Sequence, residues 1–289
     1  MLKIGFIGLG VMGSPMCANI LRKLDAKIYV FDINQEALYP LVDLGAIKVS
    51  TYKEINDNCD VIITMLPKSE HVSMVYDELL KTVRENQIYI DMSTISPKVS
   101  VNIANRLILK NAFMIDAPVV KSKDAAIKGE LGIYVGGLED VYDKVYEILR
   151  TMGNNIIYLG GNGSGLTMKI CHNALVAQIQ NGVNEIYTLA HISTNMSMDT
   201  FAKAVSYGGA QNFYLDSKKE VIKNSNFEVA FSVENMNKDI HLAKDLCDEF
   251  LLNYEGINLS AKRYEEAMER DLGKFDFSAT IKLFDGRIK

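Results

Sequence analysis

The sequence has few of the features that would assign it to a metal-binding or disulfide-rich class. Its four cysteines, Cys17, Cys59, Cys171 and Cys247, form no CxxC pair, and its four histidines form no HExxH motif. Neither a metal site nor a disulfide framework is therefore expected. The chain also lacks a run of about 18 apolar residues, so no membrane span is predicted.

An excess of positive charge is missing as well. The chain of 289 residues carries 31 lysines and arginines against 36 aspartates and glutamates, which gives a formal net charge of −5. This balance argues against nucleic acid as a partner. Because the N-terminus shows no signal-peptide pattern, a cytoplasmic location is predicted. Apolar residues make up 48% of the chain, and its length suits about two domains.

The first half of the chain alternates short apolar runs with segments of helical length. Some runs, such as Val61-Ile62-Ile63, are continuously apolar, which is typical of strands buried on both faces of a sheet. The alternation predicts a Rossmann-like α/β fold with a doubly wound, mostly parallel sheet. The predicted strands are residues 3–7, 27–31, 60–65, 87–91, 112–116, 131–135 and 156–159, with helices at 13–24 and 34–44.

The character of the sequence changes at the glycine-rich run of residues 160–165. The broadly apolar segment 166–192 then predicts one long helix that packs against other helices or a second subunit. We therefore expect an α/β domain at 1–162 and a smaller all-α domain at 163–289, joined by the long helix. Further helices are predicted at 200–205, 218–223, 238–252, 260–270 and 278–284.

A GxGxxG pattern follows the first predicted strand and opens a helix. In this setting Gly8 allows a tight turn, Gly10 lets a pyrophosphate approach the backbone, and Gly13 permits close packing of helix and strand. The helix N-terminus adds amide donors and a positive dipole end. Val11 and Met12 complete the turn and are predicted with the glycines to contact a dinucleotide.

Asp32, at the end of the second predicted strand, is the expected partner of the cofactor's ribose. A carboxylate there accepts hydrogen bonds from a 2′-hydroxyl and repels a 2′-phosphate. The next residues, Ile33 and Asn34, include no arginine to bind that phosphate. The sequence therefore favours NAD over NADP.

The segment GFIGLGVMGSPMCANIL resembles the opening of the β-hydroxyacid dehydrogenase family, which includes 3-hydroxyisobutyrate dehydrogenases and tartronate semialdehyde reductases. Further motifs similar to the family's follow in order. They are the Leu66-Pro67 turn, the D-x-S-T-x-x-P segment at 91–97, the D-A-P-V segment at 116–119, the glycines up to 137, the helix motif at 163–173 and the pair Lys238-Asp239. The resemblance implies an NAD-dependent enzyme that interconverts a short 3-hydroxy acid and its semialdehyde, of the 3-hydroxyisobutyrate, tartronate semialdehyde or 4-hydroxybutyrate type. It also implies a homodimer or homotetramer.

Lys169 and Asn173 lie four residues apart on the long predicted helix, hence on one face. A carbonyl that receives a hydride needs a proton, which a lysine ammonium supplies, and the neutral amine removes it in the reverse direction. Within the family motif we therefore predict Lys169 as the general acid and base. Asn173 is predicted to orient the lysine or the substrate oxygen.

The resemblance implies further contacts around this pair. Leu66, Pro67, Thr94 and Lys238 are predicted to contact the cofactor. Ser93, at the end of a strand, is a candidate donor to the substrate's acid group. His172 stands where the family usually has asparagine, and it either assists at the substrate or fills space.

The substrate motif departs from the family's D-A-P-V-S-G-G. Here Val120, Lys121 and Ser122 replace Ser-Gly-Gly, which removes a hydroxyl, adds a cation and restores a donor. A cation suits an anionic group bound differently from a carboxylate in a glycine cradle. We therefore expect these residues at the substrate, unless Lys121 points into solvent. Family members that act on sulfolactaldehyde are similar in replacing the glycines with a basic and a hydroxyl residue, so the resemblance implies a sulfolactaldehyde reductase as an alternative function.

Three other assignments are weighed against this one. A decarboxylating phosphogluconate dehydrogenase has a longer helical domain, and imine reductases typically lack the lysine kept here as Lys169. A non-catalytic NAD-binding redox sensor is a possibility from a different class. The lysine–asparagine pair argues against it.

Overall fold

The computed structural model describes residues 1–284. It divides into two compact units, one of residues Met1–Lys169 and one that begins at Ile170. None of the helices in residues 1–284 is long and apolar enough to cross a membrane. The predicted α/β fold with a following helical region is confirmed.

All strands of the described chain lie in the first unit. The long ones coincide with the predicted runs to within a few residues, and two short strands, Ile47–Lys48 and Val119–Val120, were not predicted. The strands are β1 Leu2–Ile7, β2 Ala26–Phe31, β3 Ile47–Lys48, β4 Val61–Thr64, β5 Ile88–Asp91, β6 Phe113–Asp116, β7 Val119–Val120, β8 Leu131–Val135 and β9 Gly153–Tyr158.

Seven α-helices connect these strands. The predicted helix 34–44 is divided, because a 3₁₀ turn at Gln35–Leu38 precedes a short helix with a proline in its first turn, a position that proline favours. The helices are α1 Gly13–Lys23, α2 Tyr39–Val42, α3 Tyr52–Asn58, α4 Ser69–Leu79, α5 Pro97–Ile108, α6 Lys123–Lys128 and α7 Glu139–Met152.

Six parallel strands form the main sheet in the order β3-β2-β1-β4-β5-β6. The strand order reverses between β1 and β4, and ligands of such sheets bind beyond the carboxyl ends of the strands at that point. The register aligns the last residues of the five longer strands, so the loops that follow leave from one edge. These residues are Ile7, Phe31, Thr64, Asp91 and Asp116.

The predicted strands 131–135 and 156–159 do not extend this sheet. They correspond to β8 and β9, which form a separate three-stranded sheet in which β7 and β8 are antiparallel. The chain turns back after β6, where Asp116 and Gly136 form an antiparallel bridge. Both predicted strands are therefore present, but they belong to a second, smaller sheet.

The main sheet is buried on both faces. Side chains alternate between two cores along β4, where Val61 and Ile63 pack on one side and Ile62 on the other. This arrangement explains why the strands have continuous apolar runs.

The helical region begins with α8, which spans Ser164–Thr194 and extends the predicted helix by two residues at each end. Ile170, Ala174 and Ala177 belong to the second unit's core. The last predicted helix, 278–284, is a 3₁₀ helix at Phe277–Leu283, capped by Asp276. The remaining helices are α9 Met198–Val205, α10 Phe213–Lys223, α11 Val233–Glu249 and α12 Glu255–Glu269.

Candidate active site

The glycine turn between β1 and α1 has the geometry that a bound pyrophosphate needs. Gly8 has φ +93, and a Cβ there would lie 2.3 Å from the carbonyl oxygen of Met65. A Cβ on Gly13 would lie 2.0 Å from the carbonyl oxygen of Gly8, whereas one on Gly10 would meet no described atom within 4 Å. Two glycines are therefore required by packing, and the third leaves open backbone, which fits a dinucleotide. Val11 is 67% exposed beside it.

Asp32 is tied to this turn through both carboxylate oxygens. Its Oδ2 accepts a hydrogen bond from the Leu9 N–H at 2.6 Å, and its Oδ1 accepts one from the Asn34 N–H at 2.7 Å. Each carboxylate oxygen accepts more than one hydrogen bond, so the half-buried group keeps capacity for a ribose hydroxyl.

A cavity of about 520 Å³ opens beside Asp32 within the first unit. It has an acidic wall, since Asp77 and Glu78 line it and none of its described lining residues is a lysine or arginine. Burial, together with the charges of Glu78 and Asp32, raises the pKa of Tyr52 in this wall. The predicted contacts Leu66 and Pro67 also line the cavity, as do Ile7, Gly8, Phe31, Ile33, His71, Met74 and Val75.

His71 was not singled out from the sequence. Its buried Nδ1 has no hydrogen-bond partner among the described residues, and it lies in the first turn of α4. The sequence offered no signal for it beyond its place four residues after Pro67.

A buried hydroxyl network holds the Leu66 loop to the sheet. The Ser93 hydroxyl accepts a hydrogen bond from the Leu66 N–H at 2.8 Å and donates to Asp91 at 2.6 Å. The Thr64 hydroxyl donates to the same Asp91 oxygen at 2.8 Å. Because the Ser93 proton is already donated, the structure gives this residue a supporting role, and its predicted contact with a substrate stays a prediction. Thr94, the next residue, is half-buried.

The start of α8 is capped by a residue distant in sequence. Asp116 is fully buried, and its carboxylate accepts hydrogen bonds from the Gly163 N–H at 2.6 Å and the Leu166 N–H at 2.9 Å. Burial raises the pKa of Asp116 to about 6, although the two amides lower it.

Lys169 and Asn173 lie on consecutive turns of α8 and are only 8% and 5% exposed. The Asn173 amide donates a hydrogen bond to Asp239 Oδ2 at 2.6 Å. A buried lysine followed one turn later by a fixed amide is an arrangement suited to moving a proton at a substrate oxygen. His172, between them in sequence, is half-buried.

Asp239 links Asn173 to Lys238, the other predicted site residue in this region. Its Oδ1 lies 3.1 Å from Lys238 Nζ, an ion pair that does not have hydrogen-bond geometry. Asp239 is 1% exposed on α11. It was noted in the sequence only as the second letter of a motif, and its bond to Asn173 depends on helix packing that no spacing rule reveals.

The replaced substrate motif forms the connection into α6. Lys121 has φ +85, a backbone conformation that favours glycine, and its Nζ donates to the Glu130 carbonyl oxygen at 2.6 Å. Ser122 stands at the N-cap of α6, and both residues are exposed. Val120 is half-buried, and a Cβ on Gly132 would lie 2.5 Å from its Cγ2. The Lys121 ammonium has three N–H donors, of which the Glu130 carbonyl oxygen takes one and two remain.

In residues 1–284, no three His, Cys, Asp or Glu side chains are grouped so that they could hold a metal ion. The structure brings the glycine turn, Asp32, Leu66 and Pro67 to the carboxyl edge of the main sheet. It separately joins Asn173, Asp239 and Lys238 in the second unit.

Two family models together match nearly all of the chain. The NAD binding domain of 6-phosphogluconate dehydrogenase matches residues 3–160, and the NAD-binding domain of NADP-dependent 3-hydroxyisobutyrate dehydrogenase matches residues 163–284. The chain belongs to the β-hydroxyacid dehydrogenase family. It is an NAD-dependent hydroxyacid dehydrogenase, and the predicted family, enzyme class and cofactor are confirmed.

Known members of the family match the chain over most of their length. The mitochondrial 3-hydroxyisobutyrate dehydrogenase of Drosophila melanogaster is 32% identical over 97% of this chain and 89% of its own. The NAD-dependent L-serine dehydrogenase of Pseudomonas aeruginosa is 30% identical over 99% and 98%. The structure of Mycobacterium tuberculosis 3-hydroxyisobutyrate dehydrogenase with L-serine is 28% identical, with a TM-score of 0.92 over 98% of this chain and 99% of that one.

Proposed function

We propose that this dehydrogenase interconverts a short 3-hydroxy acid and its semialdehyde with Lys169 as general acid and base, more often in the direction of reduction. The observation that carries this proposal is the buried pair Lys169 and Asn173 on consecutive turns of α8, with Asn173 held by Asp239. The relatives that act on 3-hydroxyisobutyrate and L-serine support the substrate class.

Lys169 carries the proton in this mechanism. In reduction its ammonium protonates the oxygen of the carbonyl as the hydride arrives, and in oxidation its neutral amine takes the hydroxyl proton. Asn173 cannot titrate, so its role is to orient the reacting oxygen or the amine while Asp239 fixes its amide. When bound, NAD supplies the donor or acceptor of the hydride.

We infer that the cofactor is held by the glycine turn of Gly8, Gly10 and Gly13 with Val11 and Met12, by Asp32, and by the Leu66-Pro67 loop. The acidic wall of the cavity beside Asp32 supports a preference for NAD, since a 2′-phosphate would meet like charge there. Thr94 and Lys238 remain proposed cofactor contacts.

Ser93, Val120, Lys121, Ser122 and His172 remain proposed substrate contacts, with Lys121 and Ser122 as the candidate donors to its acid group. A second candidate function is the reduction of an aldehyde that carries a sulfonate. The observation that favours it is Lys121, which occupies a glycine-like backbone conformation and adds a cation where the family motif has none.

The decisive experiment follows NADH absorbance with the wild-type enzyme on a substrate panel. The panel holds 3-hydroxyisobutyrate, L-serine, methylmalonate semialdehyde, succinic semialdehyde, tartronate semialdehyde and sulfolactaldehyde, each with both cofactors. Turnover of a 3-hydroxy acid or its semialdehyde supports the first function, and highest kcat/KM on sulfolactaldehyde supports the second. Turnover of none of them contradicts both.

Lys121→Gly and Lys121→Ala test the role of the amine. Both remove it, but glycine accepts the backbone conformation, whereas alanine keeps the left-handed strain of about 1 kcal/mol. A rise in KM for the same substrate in both variants assigns the amine to the substrate. An unchanged KM for every substrate removes Lys121 from the site.

We further propose that residues 1–162 form the cofactor domain and residues 163–289 the substrate and assembly domain of a homo-oligomer. Leu175, Ile186 and Leu189 are 58%, 55% and 63% exposed along α8, and a second copy would cover such a stripe. Light scattering of the wild type and of Leu189→Glu tests this assembly, and a monomeric wild type contradicts it. The cytoplasmic location stays a prediction.

A further inference from the structure

We propose that Asp116 is a positioning residue for Lys169, because its ionised carboxylate fixes the N-terminus of α8 to the end of β6. This inference rests on the proposed role of Lys169. Asp116 does not touch the reacting atoms in this account and acts only through the helix that carries Lys169.

The first argument is that α8 lacks a cap of its own. Gly163 precedes the helix and has no side chain with which to accept an amide hydrogen. Asp116 replaces that side chain, since it accepts the N–H of Gly163 and the N–H of Leu166, the third residue of the helix. An acceptor for the third amide is what an N-cap residue normally supplies, and a negative charge also suits this end of the helix dipole.

The second argument is that glycines make room for the carboxylate. A Cβ on Gly136 would lie 2.8 Å from Asp116 Oδ1, and a Cβ on Gly165 would lie 2.9 Å from Asp116 Oδ2. The Asp116 backbone is held as well, because it exchanges two hydrogen bonds with Gly136, at 2.9 and 2.8 Å. The space next to the two glycines and the backbone hydrogen bonds with Gly136 together fix the position of the Asp116 carboxylate.

Lys169 lies one turn after the capped residues, so a shift of the helix start is transmitted to its amine. Positional errors of about 1 Å at reacting groups cost on the order of 100-fold in rate. A chain that leaves Gly163 and Leu166 without an acceptor is thus expected to lose turnover rather than affinity.

Protonation of Asp116 should weaken the cap. Burial raises its pKa to about 6, the amides of Gly163 and Leu166 lower it, and Asp91 on the neighbouring strand raises it. The backbone amides of Gly163 and Leu166, at the start of α8, donate to the carboxylate. Above pH 7 the carboxylate accepts both hydrogen bonds, and below pH 6 one oxygen carries a proton.

The test compares wild type with Asp116→Asn, whose amide presents N–H to one of the two helix amides. We expect kcat at pH 7.5 to fall roughly 10- to 100-fold, with KM for substrate and for NAD changed by less than about threefold. In the direction of reduction, where Lys169 acts as the ammonium, the wild-type kcat should show an acid limb near pH 6 that Asp116→Asn lacks. Asp140→Asn, which removes an exposed carboxylate in the first turn of α7, is the matched control and should keep the limb.

A second measurement does not depend on turnover. The amide proton shifts of Gly163 and Leu166 in the wild type should titrate together with a midpoint near pH 6. Amide shifts that stay constant between pH 5 and 7.5, or a kcat of Asp116→Asn within twofold of wild type, overturn the proposal. If the wild type turns over no substrate, the proposed function fails, whereas the amide titration still decides whether Asp116 caps α8.

Discussion

The structure contains two groups of candidate functional residues that are built by different means. We call them the cofactor end, on the main sheet, and the proposed proton-transfer end, on α8. At the cofactor end, the functional groups follow strands whose last residues are aligned by register, and open backbone at Gly10 matters as much as any side chain. At the proton-transfer end, buried side chains on α8 depend on partners that are distant in sequence, as Asn173 depends on Asp239. The first kind of site follows from topology, whereas the second follows from tertiary packing.

The largest effect is expected at the proton-transfer end. Lys169→Ala removes the proposed acid and base and should lower kcat by roughly 10²- to 10⁴-fold, while the dissociation constant of NADH stays near wild type. Stopped-flow turnover and NADH fluorescence titration measure the two quantities. Lys244→Ala, at a half-buried lysine on α11 that pairs with Asp248, is the matched control and should behave as wild type.

The next effect concerns the partner of Asn173. Asp239→Asn replaces the acceptor of a buried, charge-assisted hydrogen bond of 2.6 Å, a bond whose contribution is about 1.5–3 kcal/mol. We therefore expect kcat to fall by roughly 10- to 100-fold. Equal kcat in the variant and the wild type would show that packing alone holds Asn173.

The charge of Asp116 should appear in stability as well as in turnover. Its pKa is raised from 3.8 to about 6, so between these values the folded chain binds the proton more tightly than the unfolded chain. The stabilisation is therefore complete below pH 4 and lost as the pH rises through 6, by ~3 kcal/mol. Relative to Asp116→Asn, the free energy of unfolding of the wild type should fall by that amount between pH 4 and 7.

Urea unfolding of both proteins across this range measures the difference. A difference that stays constant, or that grows with pH, contradicts the raised pKa. If the free energy of unfolding of the wild type falls relative to Asp116→Asn as expected, the ionised Asp116 carboxylate destabilises the fold at neutral pH. A charge that is kept at a cost in stability agrees with a positioning role.

The smallest effect is expected at the cofactor end, where backbone carries much of the binding. Asp32→Ser keeps a hydroxyl for the Leu9 and Asn34 amides but removes the charge, so the preference for NADH over NADPH should fall by roughly tenfold. Asp57→Asn, at an exposed carboxylate on α3 that pairs with Lys53 and is not among the residues that line the cavity, is the control. Competition binding measures the affinities of both variants for NADH and NADPH. An unchanged ratio of these affinities in Asp32→Ser would show that other residues discriminate between the two cofactors.

This contrast also explains which features could be predicted from the sequence. Periodicity located the long strands and α8, and GxGxxG with Asp32 indicated the candidate cofactor edge, because these signals are local. The pairing of β7 with β8 in a second sheet was missed, since a two-residue strand has no periodic signal. Asp116 and Asp239 were visible only as letters of motifs, because their functions depend on contacts across 47 and 66 residues.

The most direct test of the central claim is chemical rescue of Lys169→Ala by a small primary amine. Ethylamine fits the space left by the deleted side chain and restores an amine at the reacting oxygen. Our account predicts that turnover of this variant rises in proportion to amine concentration, with no effect on wild type. A Lys169→Ala enzyme that turns over at the wild-type rate without added amine would contradict it.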